Sequence, residues 1–130
     1  MLQSLRTLAG LAAAAGVLAV TTASPTVMAQ PGGESCFRLG HLDNSRLAQD
    51  HRALYLRVYG RQYYRMDFSD ACNRSGNEPL VLRSVDSGDL ICHAIDVNVS
   101  VRTTHEGCIP TSLRRLTPDE VSQIPQSDRP

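Results

Sequence analysis

The sequence predicts a mostly β fold: a small antiparallel sheet, curled or barrel-like, with a short C-terminal helix and disulfide cross-links. Three observations support this fold class. Apolar side chains recur with a period of two through most of the chain after residue 35, which is typical of half-buried strands. Clusters of Gly, Asp and Ser separate these apolar segments, as turns do. All four cysteines lie in the same region, and an even cysteine number in a short chain indicates a disulfide framework.

The N-terminal segment has the organisation of a secretory signal peptide. Arg6 is the first charged residue, the apolar segment 8–20 follows it, and small residues then lead to Ala29. The apolar segment is too short for a membrane span, which needs roughly 20 residues. We therefore expect a signal peptide at 1–29, cleaved after Ala29 or alternatively after Ala23, and a chain exported to the periplasm or secreted, with no membrane span after signal removal.

The rest of the chain is expected to contain one domain. Residues 30–35 are rich in Pro and Gly and predict a flexible lead-in, and residues 126–130 predict a loose polar tail. Residues 36–125 suffice for one disulfide-bonded domain and not for two. The 13 basic residues are balanced by 13 acidic residues, so no long-range field attracts nucleic acid. We expect no nucleic-acid partner.

The pairing of the cysteines is open at this level, because Cys36, Cys72, Cys92 and Cys108 allow three connectivities. We favour Cys72–Cys92 with Cys36–Cys108. The first bond would enclose one irregular segment and one strand, and the second would join the start of the domain to its last strand. A zinc site with ligands from Cys92-His93 and from the segment His105 to Cys108 is the alternative, but no two cysteines have the close spacing that such sites show. We therefore expect no metal and no other cofactor.

A β-hairpin is predicted over residues 53–68, and its apolar pattern determines its register. Directly opposed residues share a face, so the apolar residues of the two arms must oppose one another. The register that satisfies this condition pairs Leu54 with Met66, Leu56 with Tyr64 and Val58 with Gln62. It requires a three-residue loop in which Gly60 is free to take a positive φ angle.

The remaining elements follow from shorter signals. Residues 80–85 predict a strand, residues 86–89 a turn, and residues 90–93 the start of another strand. A half-buried strand is predicted by the alternation of Ile95, Val97, Val99 and Val101 with polar residues. Near the C-terminus, Thr117 and the Pro118-Asp119-Glu120 that follows it predict a capped helix, which Pro125 would end. A second helical turn at 45–50 has weaker support.

The outward face of the hairpin is the candidate binding face. It combines two cross-strand Tyr/Arg pairs, formed by Tyr55, Arg57, Tyr63 and Arg65, with Tyr59 and Asp67 nearby. Tyrosine and arginine are favoured at contact surfaces, and such a face could stack on a sugar, a base or a peptide. The interpretation that we favour is simpler: the arginine stems cover the tyrosines and only stabilise the sheet.

The order of these landmarks resembles a family of small exported bacterial proteins that is catalogued only as a domain of unknown function. The matching landmarks are Cys36-Phe37, Arg52 to Arg57, Tyr63-Tyr64-Arg65-Met66, Cys72, Ile91-Cys92, Asp96, Cys108-Ile109-Pro110 and Leu116-Thr117-Pro118. The resemblance covers residues 36–120. It implies an envelope location and a compact β-rich fold, and it supplies no catalytic residue.

No catalytic motif is present in the sequence. It contains no G-x-S-x-G, no H-E-x-x-H and no phosphate-binding glycine loop. Cys92 and His93 are neighbours on a predicted strand, so their side chains point to opposite faces. Carboxylates that could form an acid–base pair in principle are Asp67, Asp70, Asp86, Asp89 and Asp96.

The function that these observations favour is a non-catalytic binding or structural module of the cell envelope. Its partner would be an envelope component or protein of unknown identity. The alternatives are a small envelope hydrolase whose residues cannot be named and a proteinaceous inhibitor of an envelope-targeting enzyme.

Overall fold

The computed structural model of the chain describes residues 36–74, 76 and 78–130. The strands are β1 (Phe37–Arg38), β2 (Leu42–Leu47), β3 (Ala53–Val58), β4 (Gln62–Phe68), β5 (Leu80–Ser84), β6 (Leu90–Ile91), β7 (Val97–Val101), β8 (Gly107–Cys108) and β9 (Pro110–Arg115), and helix α1 spans Pro118–Gln123. Short 3-10 turns occur at Leu39–His41, Ala94–Asp96 and Gln126–Asp128. The predicted signal peptide and lead-in lie outside the described residues. Within the described ranges, no helix is long and apolar enough to span a membrane.

The described strands form antiparallel sheets, which confirms the predicted fold class. The largest sheet has the order β2-β3-β4-β9, a second has the order β5-β7-β8, and β1 pairs with β6. The sheets are open and do not close into a barrel, so the barrel-like form of the prediction is not adopted. Open sheets leave edge strands whose outer backbone groups have no ladder partner.

The hairpin has the predicted register. Leu54 opposes Met66, Leu56 opposes Tyr64 and Val58 opposes Gln62. The loop begins at Tyr59, and Gly60 has the positive φ angle, 69°, that the three-residue turn requires. The alternate apolar residues of both arms are buried, as expected: Leu54, Leu56, Val58, Tyr64, Met66 and Phe68.

The main core lies between the inner faces of the four-stranded and three-stranded sheets. Leu56 is fully buried, and Val97 and Val99 of β7 belong to the same cluster. Phe37 of β1 adds its ring to this cluster, 4.7 Å from the ring of Tyr64. The predicted role of the alternating valines is therefore confirmed, although the strand itself begins at Val97.

The disulfide pairing differs from the one that we favoured. The bonds are Cys36–Cys92 and Cys72–Cys108. Cys36 precedes β1 and Cys92 follows β6, and the pairing of these two strands brings their Cα atoms to 4.1 Å. The connectivity depends on which strands become neighbours, and that choice involves contacts between residues far apart in sequence.

Two local predictions are wrong. Ile95 lies in the 3-10 turn Ala94–Asp96 and is 80% exposed, because this turn interrupts the alternation before β7 begins. Residues 45–47 belong to β2 and not to a helical turn. They pair with β3, where Ser45 opposes Leu56, Arg46 opposes Tyr55 and Leu47 opposes Leu54, and this pairing outweighs a weak local helical preference.

The C-terminal helix has the predicted cap, but the segment after it is not loose. The Oγ1 atom of Thr117 accepts a hydrogen bond from the backbone N–H of Glu120, whose carboxylate accepts one from the N–H of Thr117. Within this segment Gln126–Asp128 form a 3-10 turn, and Asp128 is buried. The guanidinium of Arg129 donates to backbone carbonyls at the end of α1, and these bonds hold the tail against the domain.

Candidate functional site

The predicted Tyr/Arg face has the expected pairs but is not a free surface. Tyr55 opposes Arg65, and Arg57 opposes Tyr63, across β3 and β4. Helix α1 and the residues that flank it contribute Leu116, Val121 and Ile124 to a second hydrophobic cluster on this face. Tyr55 is only 8% exposed, and it packs in that cluster with Leu116 and Ile124.

Arg57 contacts the C-terminal tail. Its Nη1 atom donates to the backbone carbonyl of Pro130 at 3.3 Å. Its Nε atom is buried without an acceptor in the described part of the chain. Arg57 is therefore half-buried, because the C-terminal segment folds over this position.

The polar groups of Tyr55 and Arg65 form hydrogen bonds within the face itself. Arg65 donates to the carboxylate of Asp67 at 2.7 Å and to the hydroxyl of Tyr55 at 3.2 Å. Burial opposes ionisation of Asp67, but hydrogen bonds from Ser112 and Arg65 outweigh it and hold the pKa of Asp67 below its ordinary value. A cavity of about 200 Å³ remains beside Tyr55 and Arg65, bounded by Glu120. These contacts agree with a stabilising role for the face.

Three of the five candidate carboxylates are engaged by neighbouring groups. Asp89 forms an ion pair with Arg38, and Asp96 accepts hydrogen bonds from the backbone N–H groups of Cys92 and His93. Asp67 is bound to Arg65, as described above, whereas Asp70 and Asp86 are exposed. Cys92 lies in a disulfide and offers no thiol to its neighbour His93.

A larger cleft, which the sequence did not predict, opens at the end of β2. Its volume is about 670 Å³. The residues that line it come from β2 and the turn after it, from the loop before β5, and from the tail: Ser45, Arg46, Leu47, Ala48, Gln49, His51, Leu54, Asn73, Gly76, Glu78, Pro79, Leu80, Ser127 and Asp128. This volume falls in the range of small-ligand sites, roughly 300–1,000 Å³.

His51 and Asn73 organise the floor of the cleft. The Nδ1 atom of His51 lies 3.0 Å from the carbonyl oxygen of Cys72 and 2.9 Å from that of Asn73. Carbonyl oxygens only accept hydrogen bonds, so Nδ1 carries the hydrogen, and in the neutral ring Nε2 is left as an acceptor. Both His51 and Asn73 have positive φ angles, 60° and 55°, a conformation in which Asn and His are enriched.

Asn73 contributes an unpaired acceptor to this floor. The residue is 1% exposed, and its Nδ2 donates to the backbone carbonyl of Glu78 at 2.8 Å. Its Oδ1 is buried and accepts no hydrogen bond from any residue that the structure describes. Leaving such an acceptor unsatisfied costs roughly 1–3 kcal/mol. The sequence gives little indication that His51 and Asn73 belong to a site, because they are marked only as residue types that tolerate a left-handed backbone.

No protein-family model matches this chain, and the comparisons with curated proteins and with solved structures give no match either.

Proposed function

We propose that this chain is an exported, non-catalytic binding module of a bacterial cell envelope, and that the cleft at the end of β2 is its binding site. The observation that carries the proposal is Asn73, a buried side chain at the floor of a polar cleft whose Oδ1 lacks a donor in the described chain. A polar ligand whose binding rearranges the residues around Asn73 and gives its Oδ1 a donor would offset the cost of leaving this acceptor unsatisfied.

Export is supported by several independent features. The four cysteines are joined in two disulfides, which form and persist in oxidising compartments outside the cytosol. The residues before position 30 have the pattern of a signal peptide. The resemblance to small exported bacterial proteins of unknown function points to the envelope in particular.

Binding is favoured over catalysis by the chemistry of the cleft. His51 directs the hydrogen of Nδ1 to two backbone carbonyls, and in the described chain no serine of the cleft hydrogen-bonds to it. The hydroxyl of Ser127 donates instead to the carboxylate of Asp128. Nucleophilic catalysis requires a nucleophile within hydrogen-bond reach of its base, and this arrangement does not provide one.

The proposal is tested by adding the oxidised, exported chain to peptidoglycan sacculi, to lipopolysaccharide and to envelope proteins, and measuring the bound fraction. Gln49→Trp places a bulky ring at the exposed rim of the cleft, and Arg61→Trp places the same ring at the opposite end of β3 as the matched control. We expect at least one fraction to bind saturably, with at least a tenfold loss for Gln49→Trp and no loss for Arg61→Trp.

Three results would contradict the proposal. Absence of binding to every fraction would remove the binding function. Equal binding by the two tryptophan variants would move the site away from the cleft. Release of soluble sugar or peptide with repeated turnover, detected by mass spectrometry in the same incubations, would assign catalysis instead.

A further inference from the structure

Two sheet edges flank the cleft. β2 is an edge of the four-stranded sheet and β5 is an edge of the three-stranded sheet, and neither outer edge pairs with another described strand. β5 contacts the 3-10 turn Leu39–His41, which immediately precedes β2. The two edges therefore lie on the same side of the molecule, and residues of both line the cleft.

The backbone groups of β2 that face the cleft follow from its pairing with β3. The N–H of Ala48 donates to the carbonyl of Ala53 at 2.8 Å, so these two residues form a hydrogen-bonded pair. Such pairs alternate with non-hydrogen-bonded pairs along an antiparallel ladder. Leu47, opposite Leu54, therefore directs its N–H and C=O away from β3, toward the unpaired edge.

The same reasoning applies to β5. The N–H of Arg102 donates to the carbonyl of Pro79 at 2.9 Å, so the next residue pair, Leu80 with Val101, is non-hydrogen-bonded. Leu80 then directs its backbone groups away from β7. The cleft is thus bordered by main-chain donors and acceptors on both sides, which is the chemistry that an added strand requires.

The charged groups of the cleft favour a basic ligand. Glu78 and Asp128 are acidic lining residues; their carboxylates accept hydrogen bonds from the hydroxyls of Thr103 and Ser127, and Asp128 is 6% exposed. The one cationic side chain among the lining residues that the structure describes is Arg46, whose Nη1 donates to the carbonyl of Ser127 at 3.3 Å. His51 adds an acceptor at Nε2 when its ring is neutral. Acceptors therefore dominate, and a ligand rich in donors complements them.

We propose that the ligand is an extended peptide segment of a partner protein, which carries a Lys or Arg side chain and adds as a strand to the Leu47 edge of β2. This inference rests on the proposed function and names the ligand class of the same site. β2 spans Leu42–Leu47, and the N–H of Ser45 already donates to the Oδ1 atom of Asn44 at 2.9 Å, so the added strand would pair with β2 at its Leu47 end. The basic side chain would lie near Glu78 and Asp128.

The inference is tested with a random heptapeptide display library selected on the oxidised chain, followed by synthesis of the enriched peptides. We expect enrichment of Lys or Arg and micromolar dissociation constants. Methylation of backbone nitrogens should weaken binding at least tenfold at alternate positions and little at the positions between them, because one edge of an added strand faces β2. Gln49→Trp should abolish binding, and Arg61→Trp should not.

A protein variant gives a second measurement. Leu47→Pro removes the outward N–H of β2, and edge strands tolerate proline where the N–H faces outward. Leu47→Ala is the matched control, since it removes the same side chain and keeps the N–H. We expect at least a tenfold weaker peptide affinity for the proline variant than for the alanine variant. If Leu47→Pro does not fold, the methylation pattern alone decides.

The failures of the two proposals are distinguishable. Peptides that tolerate methylation at every position, or that bind Gln49→Trp as well as the unaltered chain, overturn the strand-addition inference. Binding of chito-oligosaccharides that Gln49→Trp blocks, with no peptide enriched, overturns the peptide class and retains the site. Self-association that Leu47→Pro abolishes would identify a second copy of the chain as the occupant and overturn the inference. A cleft that binds no peptide, no oligosaccharide and no envelope fraction overturns both proposals.

Discussion

At the scale of single residues, strained backbone and buried polar groups coincide at the cleft. Among the described residues with side chains, positive φ angles occur at His51, Tyr59, Asn73 and His105. His51 and Asn73 both line the cleft, and the Nδ1 atom of His51 donates to the carbonyl of Asn73. A left-handed residue costs roughly 1–2 kcal/mol, and strain of this kind concentrates at functional sites.

The backbone cost at Asn73 can be separated from the loss of its side chain. Asn73→Ala and Asn73→Gly both remove the amide that donates to the carbonyl of Glu78. Glycine adopts a positive φ freely, whereas alanine does not. We expect urea unfolding to show that the glycine variant is more stable than the alanine variant by roughly 1 kcal/mol. A more stable alanine variant would mean that the backbone at this position is not left-handed.

At the scale of elements, the C-terminal segment acts as a second layer on the hairpin. The inner face of the hairpin packs in the main core, and its outer face packs against α1 and the residues beside it. Tyr55 is therefore buried between the sheet and the C-terminal segment, whereas Arg57, Tyr63 and Arg65 stay half-buried. The sequence predicted a hairpin with one buried face, but the C-terminal segment also packs on the outer face.

The contribution of this layer is measurable at Ile124. Ile124 is 5% exposed, whereas Val121 on the same segment is half-buried. Truncating a buried isoleucine costs roughly 2–5 kcal/mol. We expect Ile124→Ala to lose stability within this range and Val121→Ala to lose about 1 kcal/mol, both measured by urea unfolding. Equal small losses would show that the segment does not pack on the sheet in solution.

A second element, the 3-10 turn before β7, should contribute to the acid sensitivity of the fold. The carboxylate of Asp96 accepts hydrogen bonds from the backbone N–H groups of Cys92 and His93, and these bonds hold the pKa of Asp96 below its ordinary value. A pKa that is lower in the folded chain stabilises the fold above about pH 4 and loses this effect as the pH falls through the folded pKa.

Asp96→Asn should therefore flatten the acid limb of the stability profile. We expect the free energy of unfolding of the unaltered chain to fall more steeply below about pH 4 than that of the variant. Asp67 and Glu120, whose pKa values are also lowered by hydrogen bonds, keep some slope in both proteins. Asp70→Asn is the matched control, because Asp70 is exposed. If the free energy of unfolding of Asp96→Asn falls with pH as steeply as that of the unaltered chain, Asp96 does not have this role.

At the scale of the whole molecule, the disulfides join parts of the chain that the sheets bring together. Cys36–Cys92 joins the start of the domain to the end of β6 across a sequence separation of 56 residues, and Cys72–Cys108 spans 36 residues. From loop length alone, each bond stabilises the fold by about 4 kcal/mol. Cys72 differs in being 2% exposed and part of the main core.

Removing the two disulfides should not cost the same. We expect replacement of Cys72 and Cys108 by alanine to lower the free energy of unfolding more than replacement of Cys36 and Cys92. The Cys72–Cys108 bond closes the shorter loop, but its removal also leaves a void in the core. Urea unfolding of the two double variants measures the difference. A larger loss for the Cys36/Cys92 variant would show that chain entropy alone determines the contribution. Unreduced folded protein should also bind no alkylating label, since every cysteine is paired.

The sequence alone determined the features that depend on neighbours along the chain. The period-two pattern predicted the hairpin and its register, because a shift of one residue would have moved Leu56 to the outer face. The Thr117-Pro118 start predicted the helix, since a cap needs only the residues beside it. The even cysteine number predicted a disulfide-bonded domain, although it left the pairing open.

The tertiary structure decided everything that depends on which segments meet. The pairing of β1 with β6 selected the disulfide Cys36–Cys92, and the docking of residues 126–130 covered Arg57. The cleft required three distant parts of the chain, of which Leu47, Asn73 and Asp128 are representatives, to converge at one place. Local periodicity carries no information about such encounters, because their free energy comes from burial and hydrogen bonds between residues far apart in sequence.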